Sequence, residues 1–170
     1  MEKSERGKSK GCVKMVQLEE PNLFKEIDRF VLAGGVANTN AKYAFLKEKG
    51  VVAIVSLIGY MAGRRTTGIV DHAVAPKYGM RVYDFGGAVG FGRLGSPVKE
   101  NDLLKFFEII RSLPAGKKIY VHCYAGSVTT DGFIGEYLKK KRALREINHR
   151  VKKPKKKKRK ILSRIAIRRR

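Results

Sequence analysis

The sequence contains only two cysteines, Cys12 and Cys123, and this number gives no disulfide framework. A reduced, intracellular environment is therefore expected. No apolar run approaches the roughly 20 residues of a membrane-spanning helix, and the N-terminus lacks the apolar core of a secretory signal. We expect a cytoplasmic protein without a membrane span, with nuclear localisation as the alternative in a eukaryotic cell.

Acidic residues are also scarce, since 15 Asp and Glu stand against 38 Lys and Arg and leave a net charge of +23. Residues 139–170 contain 18 of the basic residues and one acid, Glu146. The like charges in such a segment repel each other, and the segment cannot readily form a hydrophobic core. The charge pattern predicts an N-terminal arm at 1–24 that is partly disordered, one domain at 25–150 and a basic tail at 151–170.

The basic tail includes "PKKKKRK" (154–160), which has the form of a nuclear localisation signal and equally of a phosphate-binding run. We favour anion binding, with RNA, DNA or a ribonucleoprotein as partner, over a merely solvated tail. No aromatic residues interleave the run, so base stacking is not supported. A membrane-surface role for 161–170 is a further alternative. The predicted nucleic-acid-binding residues are Lys152, Lys153, Lys155, Lys156, Lys157, Lys158, Arg159 and Lys160.

Apolar runs and helical periodicities alternate between residues 29 and 145, which is typical of an α/β fold with a mainly parallel sheet. Asn40 is the expected N-cap of the first helix and Gly50 follows its end; Ser96 and Pro97 are expected to begin a later helix. Residues 59–79 and 86–95 are predicted mainly as loops. The predicted strands are 29–35, 51–57, 80–85 and 117–122, and the predicted helices are 41–49, 97–113 and 131–145.

The stretch "VHCYAGSVTTDGF" (121–133) joins the last predicted strand to the last predicted helix and begins with His122 and Cys123. Open α/β sheets bind ligands at such a junction, where backbone N–H groups and the helix dipole favour an anion. The same field stabilises a thiolate, which can attack phosphorus and form a covalent intermediate. A buried structural cysteine is the alternative interpretation of Cys123.

This stretch resembles the signature of cysteine-dependent protein tyrosine and dual-specificity phosphatases: His-Cys, five residues, Arg, then Ser or Thr. The resemblance covers roughly residues 25 to 148, and it is to small archaeal-type and dual-specificity members. It implies an α/β fold with a central, mostly parallel sheet of four or five strands flanked by helices. It further implies hydrolysis of phosphomonoesters of Tyr, Ser or Thr, and sometimes of RNA ends or lipids, without a metal or cofactor. The residues in register are His122, Cys123, Ala125, Gly126 and Thr130.

The resemblance also assigns roles within the loop. Cys123 would be the nucleophile, and Thr130 would assist the thiolate in the second step. Backbone amides would hold the phosphate at Tyr124, Ala125, Gly126, Ser127, Val128 and Thr129.

Three departures weaken the signature. Thr129 stands where the family has an Arg, and losing two charge-assisted bonds costs about 3–6 kcal/mol, or about 10² to 10⁴ in rate. Asp131 replaces a small residue and would repel a dianionic phosphate. Residues 85–96 contain no acid, so Asp84 is the candidate general acid. An arginine from another loop could replace the missing one. The candidates are Arg64, Arg65 and Arg93, and the alternative is that they are ordinary surface residues.

Two functions follow from these observations. The first is a weakened dual-specificity or tyrosine phosphatase that forms a phosphocysteine intermediate. The second is a catalytically inactive phosphatase-fold protein that binds nucleic acid or a ribonucleoprotein through its basic tail.

Overall fold

The structure is a computed structural model, and it describes residues 17–58, 68–85 and 98–152, with backbone alone at 68–69 and 149–152. Several predictions fall outside these ranges and are not addressed by it. They concern most of the N-terminal arm, the loop arginines Arg64, Arg65 and Arg93, the glycine-rich loop at 86–95, and the basic tail from residue 153 onward.

Five strands form one sheet in the order β1-β2-β5-β3-β4. The pair β1–β2 is antiparallel, and the other three pairs are parallel. The predicted α/β fold with a mostly parallel sheet of four or five strands is therefore confirmed, and the described residues form five. The strands are β1 Lys25–Glu26, β2 Val31–Gly34, β3 Val51–Ser56, β4 Arg81–Asp84 and β5 Lys118–His122.

Helices cover both faces of the sheet, which is why its central strands are mostly apolar. One buried cluster joins Val55 and Val121 to helices α3 and α4, and a second joins Ile54 and Tyr120 to α1 and the 3₁₀ helix. The helices are α1 Asn40–Glu48, α2 Gly68–Val74, α3 Glu100–Ser112 and α4 Val128–Lys152, with the 3₁₀ helix at Ala75–Tyr78.

The first helix confirms one predicted end and corrects the other. Gly50 follows α1 with a φ of 82°, in the left-handed conformation expected of a residue after a helix end. The N-cap is Thr39 rather than Asn40, because the Thr39 hydroxyl accepts the Lys42 N–H at 3.2 Å. Both residue types cap well, so the sequence alone did not separate the two neighbours.

The other helices differ more from the predictions. Helix α2 and the 3₁₀ helix occupy part of the segment predicted as loop at 59–79. Helix α3 begins at Glu100, because Lys99 is extended with ψ of 134°, so this helix starts later than predicted. Ser96 and Pro97, the predicted N-cap and first residue, lie outside the described residues. Helix α4 begins before Asp131 and continues past Arg145, to Lys152.

Candidate functional site

Cys123 directly follows β5, the central strand of the sheet, and is 9% exposed. Strand β5 is bonded on both sides, to β2 and to β3, so the backbone that leads to Cys123 is fixed from two directions. The Sγ atom accepts a hydrogen bond from the Gly126 N–H at 3.2 Å. The sulfur atom therefore faces a backbone donor of the loop that follows it.

Gly126 holds the loop against the carboxyl end of β2. Its φ is 81°, and a Cβ atom there would lie 2.3 Å from the Gly35 nitrogen and 2.4 Å from the carbonyl carbon of Gly34. Both contacts are with backbone, so only glycine fits. The Val36 N–H donates to the Tyr124 carbonyl at 3.3 Å and adds a second connection between the loop and β2.

Helix α4 begins at Val128, immediately after the loop, so its first turn carries Thr129, Thr130 and Asp131. Within the described ranges, no backbone carbonyl accepts the N–H groups of residues 127–129. Free N–H groups at a helix start, next to the Cys123 thiol, form the kind of cradle that binds an oxyanion. The structure therefore brings together the loop residues that the sequence selected.

The two threonines behave differently. Thr129 is partly buried, at the position where the resemblance expects an arginine. Thr130 is 1% exposed, and its Oγ1 atom has no hydrogen-bond partner among the described residues. No hydrogen bond joins Thr130 to Cys123 within these ranges, so its assistance to the thiolate stays a prediction.

Asp131 is paired rather than isolated. Its Oδ1 atom lies 2.9 Å from Nζ of Lys25 on β1, and both side chains are about half exposed. An exposed pair of this kind is worth little stability, but it places a positive charge beside the carboxylate. The predicted repulsion of phosphate by Asp131 is therefore partly offset by Lys25.

Asp84, the candidate general acid, is the last residue of β4 and is exposed. Strand β3 lies between β4 and β5, so the backbones of Asp84 and His122 are about 10 Å apart. The Asp84 carboxylate lies 2.7 Å from Nε2 of His72 on α2. Asp84 thus lies at the carboxyl ends of the parallel strands, as Cys123 does, but it contacts His72 rather than the loop.

Behind the loop lies a buried polar group that the sequence did not indicate. His122 and Asp71 are both 0% exposed, with His122 Nε2 and Asp71 Oδ2 3.1 Å apart. The Tyr43 hydroxyl donates to the other carboxylate oxygen at 2.6 Å. Asp71 lies on α2, within the segment predicted as loop, so no helical pattern indicated that it turns inward.

Neither a membrane-spanning helix nor a metal-ligand cluster occurs in the described part of the chain. No helix there is long and apolar enough to cross a membrane. No group of three or more His, Cys, Asp or Glu side chains is placed to hold a metal ion in those same residues.

Comparison with known proteins supports the fold. No protein-family model matches the sequence, and no curated protein matches it. Two crystal structures of a "putative phosphatase (DUF442)" from Shewanella putrefaciens CN-32 are similar, each with a TM-score of 0.53. They are 19% and 20% identical and cover 69% of this chain and 68% and 70% of theirs.

A third similar structure is the core catalytic domain of the PP-IP phosphatase SIW14 from S. cerevisiae in complex with citrate. It is 21% identical, with a TM-score of 0.48, and the match covers 69% of this chain and 66% of that one. The two Shewanella structures show that the chain has the α/β fold of that DUF442 protein. At these identities the likeness concerns the fold alone, and an archaeal-type subgroup gains no support.

Proposed function

We propose that this protein hydrolyses phosphomonoesters through a phosphocysteine intermediate on Cys123. The observation that carries the proposal is the thiol at the end of β5, bonded to the Gly126 N–H and next to the first turn of α4. The thiolate attacks phosphorus, and the bond to the leaving-group oxygen breaks as that oxygen takes a proton. Water then attacks phosphorus, and the S–P bond breaks to release phosphate and the thiolate.

Activity should be low, because Thr129 contributes at most one neutral hydrogen bond. An arginine contributes a planar pair of charge-assisted bonds to the transferring phosphoryl group. We therefore expect turnover about 10² to 10⁴ slower than in the same loop with an arginine.

Asp84 is the proposed proton donor to the leaving group. Its place on the carboxyl edge of the sheet supports this role, and its contact with His72 opposes it. The role requires that the carboxyl group exchange His72 for the leaving-group oxygen when substrate binds. A leaving group that needs no proton, such as a phenol with a low pKa, would make Asp84 dispensable.

The substrate would be a phosphorylated protein or another phosphomonoester. Tyr124 and Val128, at the two ends of the loop, are 68% and 60% exposed. Exposed apolar side chains beside an anion cradle favour an apolar or aromatic group on the phosphate oxygen. An aryl phosphate is therefore a suitable probe.

The test is hydrolysis of an aryl phosphate by the wild type, Cys123→Ser and Cys12→Ser. We expect slow turnover by the wild type, no turnover by Cys123→Ser and unchanged turnover by Cys12→Ser, the control for loss of a thiol. Equal turnover by the wild type and Cys123→Ser would show that Cys123 is not the nucleophile.

The second candidate function, nucleic-acid binding without catalysis, is favoured by the course of α4. Tyr137 is the last buried residue among those described in this helix, and residues 142–148 are all exposed although the helix continues to Lys152. Arg142 and Arg145 thus extend the positive charge of the predicted tail along a helix surface. If six to ten cations meet phosphates, affinity should fall about 10³ to 10⁵-fold between 50 and 200 mM salt. Binding that is independent of salt, or that survives deletion of 152–170, would refute this candidate.

A further inference from the structure

An ion pair connects the edge of the sheet to the first turn of α4. Nζ of Lys25 on β1 lies 2.9 Å from Oδ1 of Asp131, and the two residues are 106 positions apart in the chain. Among the described residues, no other cation forms an ion pair with residues 124–131. Lys25 therefore brings a positive charge to the helix turn in which Thr129 stands where the resemblance expects an arginine.

The register of β1 explains why Lys25 reaches α4. Lys25 pairs with Ala33 of β2, and the side chains of directly paired residues lie on the same face of a sheet. Ala33 belongs to the buried cluster that packs against α4, so Lys25 lies on the face that α4 covers. Glu26, the next residue of β1, faces the other side, where it contacts Lys49 at 3.7 Å just after α1. A shift of β1 by one residue would exchange the two side chains.

The chain that leads into β1 is also held beside the cysteine loop. The Asn22 carbonyl accepts the Gly35 N–H at 2.7 Å, at the end of β2. Gly34 and Gly35 are also the residues against which Gly126 packs, since a Cβ on Gly126 would lie 2.3 Å from the Gly35 nitrogen. The segment before Lys25 and the cysteine loop therefore meet on the same two glycines, and backbone contacts fix their relative position.

Asp131 lies close enough to the cradle to oppose the binding of an anion. The helix rises about 1.5 Å per residue, so Asp131 is about 4.5 Å along the axis from Val128, the first residue of α4. This distance is shorter than the screening length of about 8 Å at physiological salt. Without Lys25, the carboxylate would repel a dianion bound to the free N–H groups of the loop, whereas the ion pair has no net charge.

We propose that Lys25 is a positioning residue for anion binding, which engages Asp131 so that the cradle after Cys123 admits a tetrahedral dianion without an arginine in the loop. The inference rests on the proposed phosphoryl-binding role of this loop. It assigns to β1, an element outside the loop, part of the positive charge that Thr129 does not supply. Lys25 does not replace the planar pair of hydrogen bonds that an arginine would donate, so the low turnover expected from Thr129 remains.

The first test measures binding of tungstate, a tetrahedral dianion that resembles phosphate, by isothermal titration calorimetry at low salt. Lys25→Met removes the charge and keeps an unbranched side chain, and we expect it to weaken tungstate binding about three- to tenfold. Lys25→Arg keeps the charge and should bind tungstate within about twofold of the wild type. The loss in Lys25→Met should shrink as the salt concentration is raised, because both members of the pair are about half exposed.

A double-mutant cycle tests whether Lys25 acts through Asp131. Asp131→Asn should bind tungstate at least as tightly as the wild type, because a negative charge beside the cradle is removed. In the Asp131→Asn background, Lys25→Met should change the affinity by less than about twofold, since the carboxylate that Lys25 offsets is gone. An equal loss of affinity in both backgrounds would overturn the proposal.

Lys49→Met is the matched control. Lys49 pairs with Glu26, and their side chains are 41% and 52% exposed, against 45% and 55% in the Lys25–Asp131 pair. Lys49 lies just before β3, at the opposite end of the sheet from Cys123. Lys49→Met should leave the tungstate affinity unchanged. A loss as large as that in Lys25→Met would show an effect of net charge alone and would overturn the proposal.

Melting temperatures separate anion binding from folding. A purely structural role for Lys25 would lower the melting temperature of Lys25→Met and leave its tungstate affinity unchanged, and that result would overturn the proposal. A wild-type protein that does not bind tungstate would overturn it as well. The expected pattern of affinities without aryl phosphate turnover would support this inference and refute the proposed hydrolysis.

Discussion

Replacing Gly126 by Ala tests whether the loop after Cys123 packs against the end of β2 as closely as in the structure. The added Cβ would lie 2.3 Å from the Gly35 nitrogen, 2.4 Å from the Gly34 carbonyl carbon and 2.8 Å from the Gly34 oxygen. Non-bonded carbon atoms prefer about 3.5–4.0 Å. All three neighbours are backbone atoms at the end of β2, so they cannot move aside as a flexible side chain would.

Two terms add to the cost of Gly126→Ala. Holding a residue with a Cβ near a φ of 81° costs about 1–2 kcal/mol. Overpacking costs about 1–3 kcal/mol more. We therefore expect the free energy of unfolding to fall by about 2–5 kcal/mol, measured by urea denaturation followed by circular dichroism.

Gly132→Ala is the matched control, since Gly132 lies in α4 and an added Cβ there would meet nothing within 4 Å. An exposed helical Gly→Ala change should stabilise the protein by about 0.5–1 kcal/mol. The two variants thus make the same chemical change with opposite expected signs. A Gly126→Ala protein as stable as the wild type would refute the packing of the loop against β2.

Two further predictions concern carboxylates. Burial opposes ionisation of Asp28, but hydrogen bonds from Lys141, the Phe30 N–H and Tyr137 hold its pKa below the usual value. Asp28→Asn should therefore lower the free energy of unfolding by about 1–3 kcal/mol at neutral pH. The difference from the wild type should vanish as the pH falls through the folded-state pKa of Asp28, which urea titrations from neutral to strongly acidic pH would measure. A difference in unfolding free energy that does not depend on pH would contradict this prediction. Asp84→Asn should slow hydrolysis of an alkyl phosphate at least about tenfold more than that of an aryl phosphate with a good leaving group, and equal slowing in a steady-state assay would exclude Asp84 as the proton donor.

The sequence predicted the parts of the fold whose signals are local. The β-branched run from Val51 and the apolar run that ends at His122 mark buried strands, because few other structures accommodate them. Gly50 marks the end of α1 for an equally local reason. Strand β1 has only two residues and is defined by its pairing with β2, so it left no pattern.

The site was predictable only where its residues are consecutive. The loop from Cys123 to Thr130 was found as a unit, whereas Asp71 reaches His122 through the tertiary packing of α2. The start of α4 was placed too late because Val128, Thr129 and Thr130 are weak helix formers and Asp131 resembles a first-turn residue. The Lys25–Asp131 pair likewise depends on sheet topology, since its members are 106 positions apart.

A phosphocysteine intermediate requires that phosphorus become bonded to Cys123. The decisive measurement is rapid quenching of the protein during reaction with an aryl phosphate, followed by mass spectrometry of the cysteine-loop peptide. We expect a phosphoryl group on Cys123 in the wild type, a larger trapped fraction or faster formation in Thr129→Arg, and none in Cys123→Ser. Release of phosphate without a phosphoryl group on Cys123, or no phosphoryl transfer even in Thr129→Arg, would contradict the proposed intermediate.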